Sequence, residues 1–322
     1  MSKFLVTGGA GFIGGNYLLM MVDRYKEDTF VCVDSLTYCG NLENLKPIMD
    51  RPNFKFIKLD ITNKEKIFKL FKKEHFDYVI NFAAESHVDR SLKDSTVFYK
   101  TNVYGTSVLL EASRLYGVKK FHQVSTDEVY GDLARDDKTT SFTEESPLRP
   151  RNPYSASKAA ADLLVLAYRD AYKLKVSISR SSNNYGPLQY KEKLIPLMIK
   201  KALGDKKLPV YGDGLNSRDW LYVTDNCEAI DKIVRSDKVG EIFNICGKQE
   251  RQNMYVVKTI LNYLHKDESL IKFVKTRPND DKRYVLNTSK IEKELNFYPK
   301  AKFEEKIIET IDWYLANKSC LK

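Results

Sequence analysis

Residues 125 to 132 read Ser-Thr-Asp-Glu-Val-Tyr-Gly-Asp, so two carboxylates, Asp127 and Glu128, stand side by side behind a hydroxyl pair, Ser125 and Thr126. The preceding run Phe121–Val124 reads as a strand, and open α/β sheets hold their ligands at the carboxyl ends of strands. Adjacent carboxylates in one site repel each other unless one stays protonated while the other is ionised. Such a pair supplies an acid and a base at one spot. Successive residues of a strand face opposite ways, so the strand has to end by Thr126, and a turn starting there brings both carboxylates round to one substrate. On its own the pair reads as a helix start, where acidic side chains complement the macrodipole.

A second constellation lies in Pro-Tyr-Ser-Ala-Ser-Lys, residues 153 to 158, where Tyr154 and Lys158 fall at i and i+4 on one helix face. A tyrosine is a poor base at neutral pH, but a neighbouring ammonium and a nicotinamide cation favour its phenolate. Tyr154 is then a candidate to take a hydroxyl proton while hydride leaves the same carbon, and Lys158 to hold the nicotinamide ribose. An isolated Tyr-x-x-x-Lys reads as a surface helix; the residues that follow give this one its context.

Thr7–Gly15, Thr-Gly-Gly-Ala-Gly-Phe-Ile-Gly-Gly, follows a strand and opens a helix through Tyr17, Leu18 and Met21. Gly8 permits the tight turn, Gly11 lets the backbone approach a pyrophosphate, and Gly14 allows close helix packing. The free N–H groups of the helix start face the phosphates. Asp34 ends the next strand, where a carboxylate binds both adenosine ribose hydroxyls and repels a 2′-phosphate, which favours NAD over NADP. Its plainer reading is a turn former. By strand order, Asp60 and Ile61 border the adenine, while Ala83, Ala84, Glu85, Ser86 and His87 run along the cofactor towards its nicotinamide; His87 alone reads as a structural histidine.

These residues need a scaffold of alternating elements. Strand-like runs at Phe4–Thr7, Phe30–Asp34, Phe54–Leu59, Tyr78–Ala83, Phe121–Ser125 and Val176–Arg180 alternate with helical patterns, which predicts an α/β fold: a Rossmann-type doubly wound parallel sheet with a smaller C-terminal substrate-binding lobe. Residues 1–185 form the expected NAD-binding domain and 186–322 mainly the lobe, where Pro187, Pro196, Pro209 and Pro278 break shorter elements. A segment near 219–235 is expected to return to the first domain.

Composition narrows the classes. The 322 residues are 43% hydrophobic and carry a net charge of +10, but lysines and arginines are spread along the chain among acidic residues, as a solvated surface requires, and nothing marks a nucleic-acid site. Five cysteines without a Cys-x-x-Cys indicate neither a disulfide framework nor a metal site and fit a reducing cytoplasm. Strand-like residues from position 3 leave no room for a signal peptide, and no apolar run is long enough for a membrane span.

The sequence resembles the extended short-chain dehydrogenase/reductase family, most closely its dTDP-glucose 4,6-dehydratase branch, almost end to end: TGGAGFIG, VDSLTYCGNLENL, FAAESHVDRS, STDEVYGDL, PYSASKAAAD, SSNNYGP, EKLIPL, RDWLYVTDN and KRYVLN. The resemblance implies oxidation of a sugar at C4, loss of water across C5 and C6 with Glu128 as base and Asp127 as acid, and hydride return to C6, with Thr126 bonded to the C4 oxygen beside Tyr154. It implies NAD as cofactor, with Phe12, Ile13, Ser35, Leu36, Thr37, Thr101 and Asn184 added to the residues around it. It implies a nucleotide-sugar substrate held by His87, Asn183, Lys193, Leu194, Pro209, Val210, Tyr211, Arg218, Asn253, Asp281, Arg283 and Tyr284, the arginines being suited to phosphate oxygens. The family commonly has Gly-His before Asp-Arg-Arg-Tyr, whereas this chain has Asn279-Asp280 before Asp281-Lys282-Arg283-Tyr284. A homodimer is the family expectation, with the helices around Tyr99–Arg114 and Tyr154–Tyr172 as interface candidates. Thymine or uracil as the base stays open, and so do a nucleotide-sugar 4-epimerase, against which the Asp127-Glu128 pair speaks, and a non-catalytic NAD-binding protein.

Overall fold

A computed structural model describes residues 1–276, 278 and 280–321. The chain begins β1 (Lys3–Thr7), α1 (Phe12–Arg24), β2 (Thr29–Asp34), β3 (Phe54–Lys58), α2 (Lys64–Glu74) and β4 (Tyr78–Asn81). Two short helices, α3 (Val88–Lys93) and α4 (Thr96–Phe98), lead through a π-helical stretch, Tyr99–Gly105, into α5 (Thr106–Leu115), then β5 (Lys120–Thr126), α6 (Pro153–Tyr172) and β6 (Val176–Ser181). Beyond lie β7 (Asn183–Tyr185), α7 (Leu194–Leu203), β8 (Leu208–Tyr211), β9 (Ser217–Tyr222), α8 (Val223–Arg235), β10 (Glu241–Ile245), β11 (Glu250–Gln252), α9 (Asn253–Tyr263), β12 (Ile271–Val274), α10 (Ser289–Leu295) and α11 (Phe303–Ala316).

The large sheet has the order β10-β6-β5-β4-β1-β2-β3 with every pairing parallel. From β1 the chain winds outward to β3, then returns to the other side of β1 and winds out to β10, so a crevice opens over the carboxyl ends of β1 and β4. Alternation along the strands sorts the core. Phe4 and Val6 pack with Tyr17 and Leu18 of α1 and Ile230 of α8, whereas Leu5, Val31 and Val33 pack on the opposite face with Leu109 of α5 and Val165 of α6.

Helix α6 starts where it does because Asn152 caps it. The Asn152 side chain accepts from the Ser155 N–H at 2.8 Å in a capping box, with Pro153 at the first helical position. That cap fixes Tyr154 in the first turn and Lys158 one turn further on.

A third core of Tyr185, Trp220, Val256, Phe303 and Tyr314 organises the small sheets β11-β9-β7 and β12-β8. Residues 219–235 divide: β9 belongs to a small sheet, while α8 lies against α1, where the Tyr17 and Tyr25 hydroxyls donate to Asp231 at 3.2 and 2.6 Å. One strand departs from the boundary drawn in the sequence, since β10 extends the large sheet beside β6 from within residues 186–322. Its five residues, Glu-Ile-Phe-Asn-Ile, are too few and too mixed to carry a readable period.

Candidate active site

Strand β5 ends at Thr126 and a 3-10 turn, Asp127–Tyr130, follows at once, with Thr126 Oγ1 accepting from the Glu128 N–H at 3.3 Å. The turn separates the carboxylates by environment. Asp127 is 2% exposed; its Oδ1 accepts from the Thr126 hydroxyl at 3.2 Å, and its Oδ2 is buried without a hydrogen-bond partner. Burial pushes the Asp127 carboxyl well above the usual range, the Glu128 charge adds to this, and Arg218 opposes it. Glu128 instead stands on a cavity wall, its Oε2 accepting from Asn152 Nδ2 at 3.4 Å. A buried acid whose hold on a proton is strengthened thus sits next to a second acidic side chain that faces the ligand space.

Tyr154 is packed edge-on against Phe98 and hydrogen-bonded to Thr126, and burial raises its hydroxyl, with Glu128 adding to the effect. The Lys158 ammonium donates to the Val124 carbonyl at 2.6 Å, and burial lowers it to about 8. In this arrangement burial, with the Glu128 charge adding to it, raises the Tyr154 hydroxyl, contrary to the simple expectation from its spacing to Lys158. The positive ring of a nicotinamide is the element that would reverse the balance.

The glycine loop has the dimensions a dinucleotide needs. Gly8 adopts φ +68°, and a Cβ there would lie 2.6 Å from the Ala83 nitrogen; one on Gly14 would lie 2.6 Å from the Gly8 carbonyl oxygen. A Cβ on Gly11 would meet only that same oxygen, at 3.2 Å, so the space in front of Gly11 is open. Helix α1, starting at Phe12 and Ile13, has neither a side-chain cap nor an acidic residue in its first turn, which suits an anion at its N-terminus. These observations fit NAD. Asp34 is buried at the end of β2, accepting from the Leu36 and Ala10 N–H groups at 2.8 and 3.0 Å, and burial raises its carboxyl. Ser35 and Thr37 flank Leu36, whose φ is +55°.

The other cofactor candidates divide. Asp60 Oδ1 accepts from Thr62 N–H at 2.8 Å and Ile61 is core. Asn102, next to Thr101, bonds both the Glu85 backbone and the Ser157 hydroxyl, tying the loop Ala83–His87 to α6. The Asn184 amide donates to Ser182 O and accepts from Asn226 of α8.

Between the sheet and the lobe lies a cavity of about 710 Å³. His87, Asn183, Lys193, Leu194, Pro209, Val210, Tyr211, Arg218, Asn253, Asp281 and Tyr284, all expected at the substrate, line it together with Glu128. Arg218 is held by the carbonyls of Ser217 and Asp281 at 2.7 and 2.8 Å and lies over the Tyr284 ring, while Tyr284 donates to Asp281. Lys193 donates to the Ser86 carbonyl at 2.7 Å, joining the lobe to the cofactor loop. Burial lowers the imidazolium of His87, which stands 3.5 Å from Glu192.

Arg283 is a correction. Its guanidinium forms a two-pronged pair with Glu250 at 2.7 and 2.9 Å and also donates to the Asp137 carbonyl, so it braces the lobe and does not line the cavity. Asp280 lines the cavity and accepts from Asn216 at 2.9 Å, whereas Asn279 lies outside the described residues. The sequence reading missed Asn152, Glu192, Arg90 and Trp220, which also line the cavity. Asn152 was findable, because an asparagine before a proline at a helix start is a capping signal.

A family model described as GDP-mannose 4,6 dehydratase matches residues 5–310. A dTDP-glucose 4,6-dehydratase from Xanthomonas campestris pv. campestris is 46% identical, the match spanning 99% of this chain and 95% of that protein. Of solved structures, a dTDP-glucose 4,6-dehydratase from Bacillus anthracis in complex with NAD is 48% identical with a TM-score of 0.92, over 99% of this chain and 98% of that one. DesIV, a dTDP-glucose 4,6-dehydratase from Streptomyces venezuelae solved with NAD bound, is 41% identical with a TM-score of 0.95, over 98% of each chain.

Proposed function

The chain belongs to the GDP-mannose 4,6 dehydratase family, and from that premise we propose that it is an NAD-dependent enzyme converting dTDP-glucose to dTDP-4-keto-6-deoxyglucose. The observation that carries the proposal is the division between Asp127, buried with an unpartnered Oδ2 and its carboxyl raised by burial, and Glu128, one residue on and facing the cavity.

Bound NAD supplies the acceptor for hydride from C4 and the hydride returned to C6. The chain would hold it with the loop Gly8–Gly14, the start of α1 and Asp34, and Lys158 would serve its ribose. Tyr154 takes the C4 hydroxyl proton, and the Thr126 hydroxyl bonds the resulting ketone. That ketone makes the C5 hydrogen acidic, because the carbanion becomes an enolate. Glu128 takes the C5 proton while Asp127 gives its own to the C6 hydroxyl, which leaves as water, and Glu128 then gives a proton back to C5 as C6 is reduced. Proton transfer of this kind is worth roughly 10²–10⁴ in rate for each group. Arg218 and Lys193 suit the diphosphate, and Asn183, with an unpartnered buried Oδ1, suits the sugar.

The protein acts as a homodimer in the cytoplasm, in this reading. Tyr99, Tyr104, Leu115, Leu163 and Tyr172 are between 44% and 58% exposed along α5, α6 and the π-helical stretch, an apolar face that a second copy would cover. All five cysteines are free, and among the described residues no helix is long and apolar enough to cross a membrane. Sedimentation velocity reports the dimer. Incubation with dTDP-glucose and, separately, UDP-glucose, followed by mass spectrometry, tests the activity: water is lost from dTDP-glucose, and a product of unchanged mass with inverted C4 would replace this reading by a 4-epimerase.

A further inference from the structure

Asn152 uses both ends of its amide inside the site, and the mechanism above assigns it no part. It precedes Pro153, and its backbone is extended, with φ −140° and ψ 163°, the conformation to which a following proline confines a residue. Its Oδ1 accepts from the Ser155 N–H at 2.8 Å, and its own backbone N–H donates to the Ser155 hydroxyl at 3.3 Å. These bonds fix the amide plane and decide which end is which. Nδ2 is the end left pointing away from the helix start, and it donates to Glu128 Oε2 at 3.4 Å. Asn152 is 8% exposed and lines the same cavity as Glu128, and Tyr154 is the second residue of the helix that it caps.

We infer that Asn152 is a positioning residue: one end of its amide sets the Glu128 side chain against C5 of the sugar, while the other holds the start of α6, and with it Tyr154, in place. C4 and C5 are neighbours in one ring, so the group that takes the C4 hydroxyl proton and the group that takes the C5 proton have to stand at a fixed separation. Those two groups come from different elements, Glu128 from the turn after β5 and Tyr154 from α6. A glutamate carries its carboxyl group on several rotatable bonds, and without a donor it spreads over rotamers that leave the productive one thinly populated. The Asn152 amide links the two elements directly. Capping alone does not call for asparagine, since serine and aspartate cap as well. Serine ends one bond short of Nδ2, and aspartate has no donor to offer. The role at C5 rests on the dehydratase reading; the contact with Glu128 does not.

Single turnovers of the full-length protein with NAD and dTDP-glucose read the two steps apart, absorbance of reduced nicotinamide following C4 oxidation and rapid-quench mass spectrometry following water loss. Asn152→Ser keeps the cap and loses the donor, so water loss should slow by roughly 10- to 100-fold, the scale of a misplaced reacting group. Oxidation should slow less, and reduced nicotinamide should build up. Glu128→Gln supplies a readout that a merely structural role would not move. Once residue 128 cannot take a proton its placement no longer matters, so Asn152→Ser added to Glu128→Gln should cost no further rate. Equal slowing of both steps by Asn152→Ser, or the same fold-loss from it in the Glu128→Gln background as in wild type, overturns the proposal. Should Asn152→Ser not fold, Asn152→Asp, which keeps the capping oxygen and removes the donor, carries the same expectations. In cofactor-free protein with nitrogen-15 in its asparagines, the Asn152 side-chain NMR signal, assigned from its loss in Asn152→Ser, should move when Glu128→Ala removes the acceptor. A signal that Glu128→Ala leaves in place also overturns the proposal. If wild-type protein does not oxidise dTDP-glucose at all, the function proposed above fails while the amide signal still decides whether Asn152 holds Glu128.

Discussion

Replacing Asp127 by asparagine separates catalysis from stability in a way the structure makes quantitative. The amide keeps the shape and can still accept from Thr126 but cannot deliver a proton to the C6 hydroxyl, so dehydration should slow by roughly 10²–10⁴, about 3–5 kcal/mol of barrier. Oxidation at C4, which draws on Tyr154, should persist, so reduced cofactor accumulates during a single turnover. Stability moves the other way with pH. The Asp127 carboxyl is raised in the folded state by burial and then by Glu128, so the folded wild type keeps its proton where the unfolded chain has lost it. The stability this group confers is complete below the unfolded value near 3.9 and falls as pH rises, by at most about 1.36 kcal/mol per pH unit, until the folded group itself ionises. Asparagine has no such dependence. The gap between Asp127→Asn and wild type should therefore shift steadily in favour of the variant as pH climbs from about 4. Stopped-flow absorbance of the reduced nicotinamide reads oxidation, mass spectrometry of the quenched sugar reads water loss, and urea midpoints across pH read the linkage. Equal loss of oxidation and dehydration, or a stability gap indifferent to pH, would refute the assignment of Asp127 as the buried acid.

Tyr154→Phe should depress C4 oxidation itself by roughly 10²–10⁴ and leave NAD binding near normal by calorimetry; accumulation of reduced cofactor at the wild-type rate would remove Tyr154 from the hydride step. In Gly14→Ala the new methyl would lie 2.6 Å from the Gly8 carbonyl oxygen, forcing α1 away from the loop, so purified protein should retain much less NAD and show a lower Tm; full retention would show that the loop relaxes freely. Arg283→Met should cost about 2 kcal/mol through its lost bonds to Glu250 and Asp137 without raising the KM for dTDP-glucose, and a large KM increase would put Arg283 back on the diphosphate.

What the sequence determined by itself is what depends on near neighbours. Spacing alone placed Gly8, Gly11 and Gly14 at a strand-to-helix turn, Tyr154 and Lys158 on one helix face, and Asp34 and Asp127 at strand ends, because helical and extended backbones have fixed periods. The stereochemical conflict in Asp127-Glu128 even required the turn that follows Thr126. Tertiary structure decided what those side chains meet. Arg283 turns to Glu250, 33 residues away in the chain, and Asn184 to Asn226, 42 away. β10 is paired to β6 by registry with a strand some sixty residues earlier, for which its own five residues give no signal. The raised Asp127, the depressed Lys158 and the ion pair of Asp162 with Arg180 all follow from water being excluded by residues of several distant elements, and exclusion of water is a sum over the whole fold that no local pattern carries.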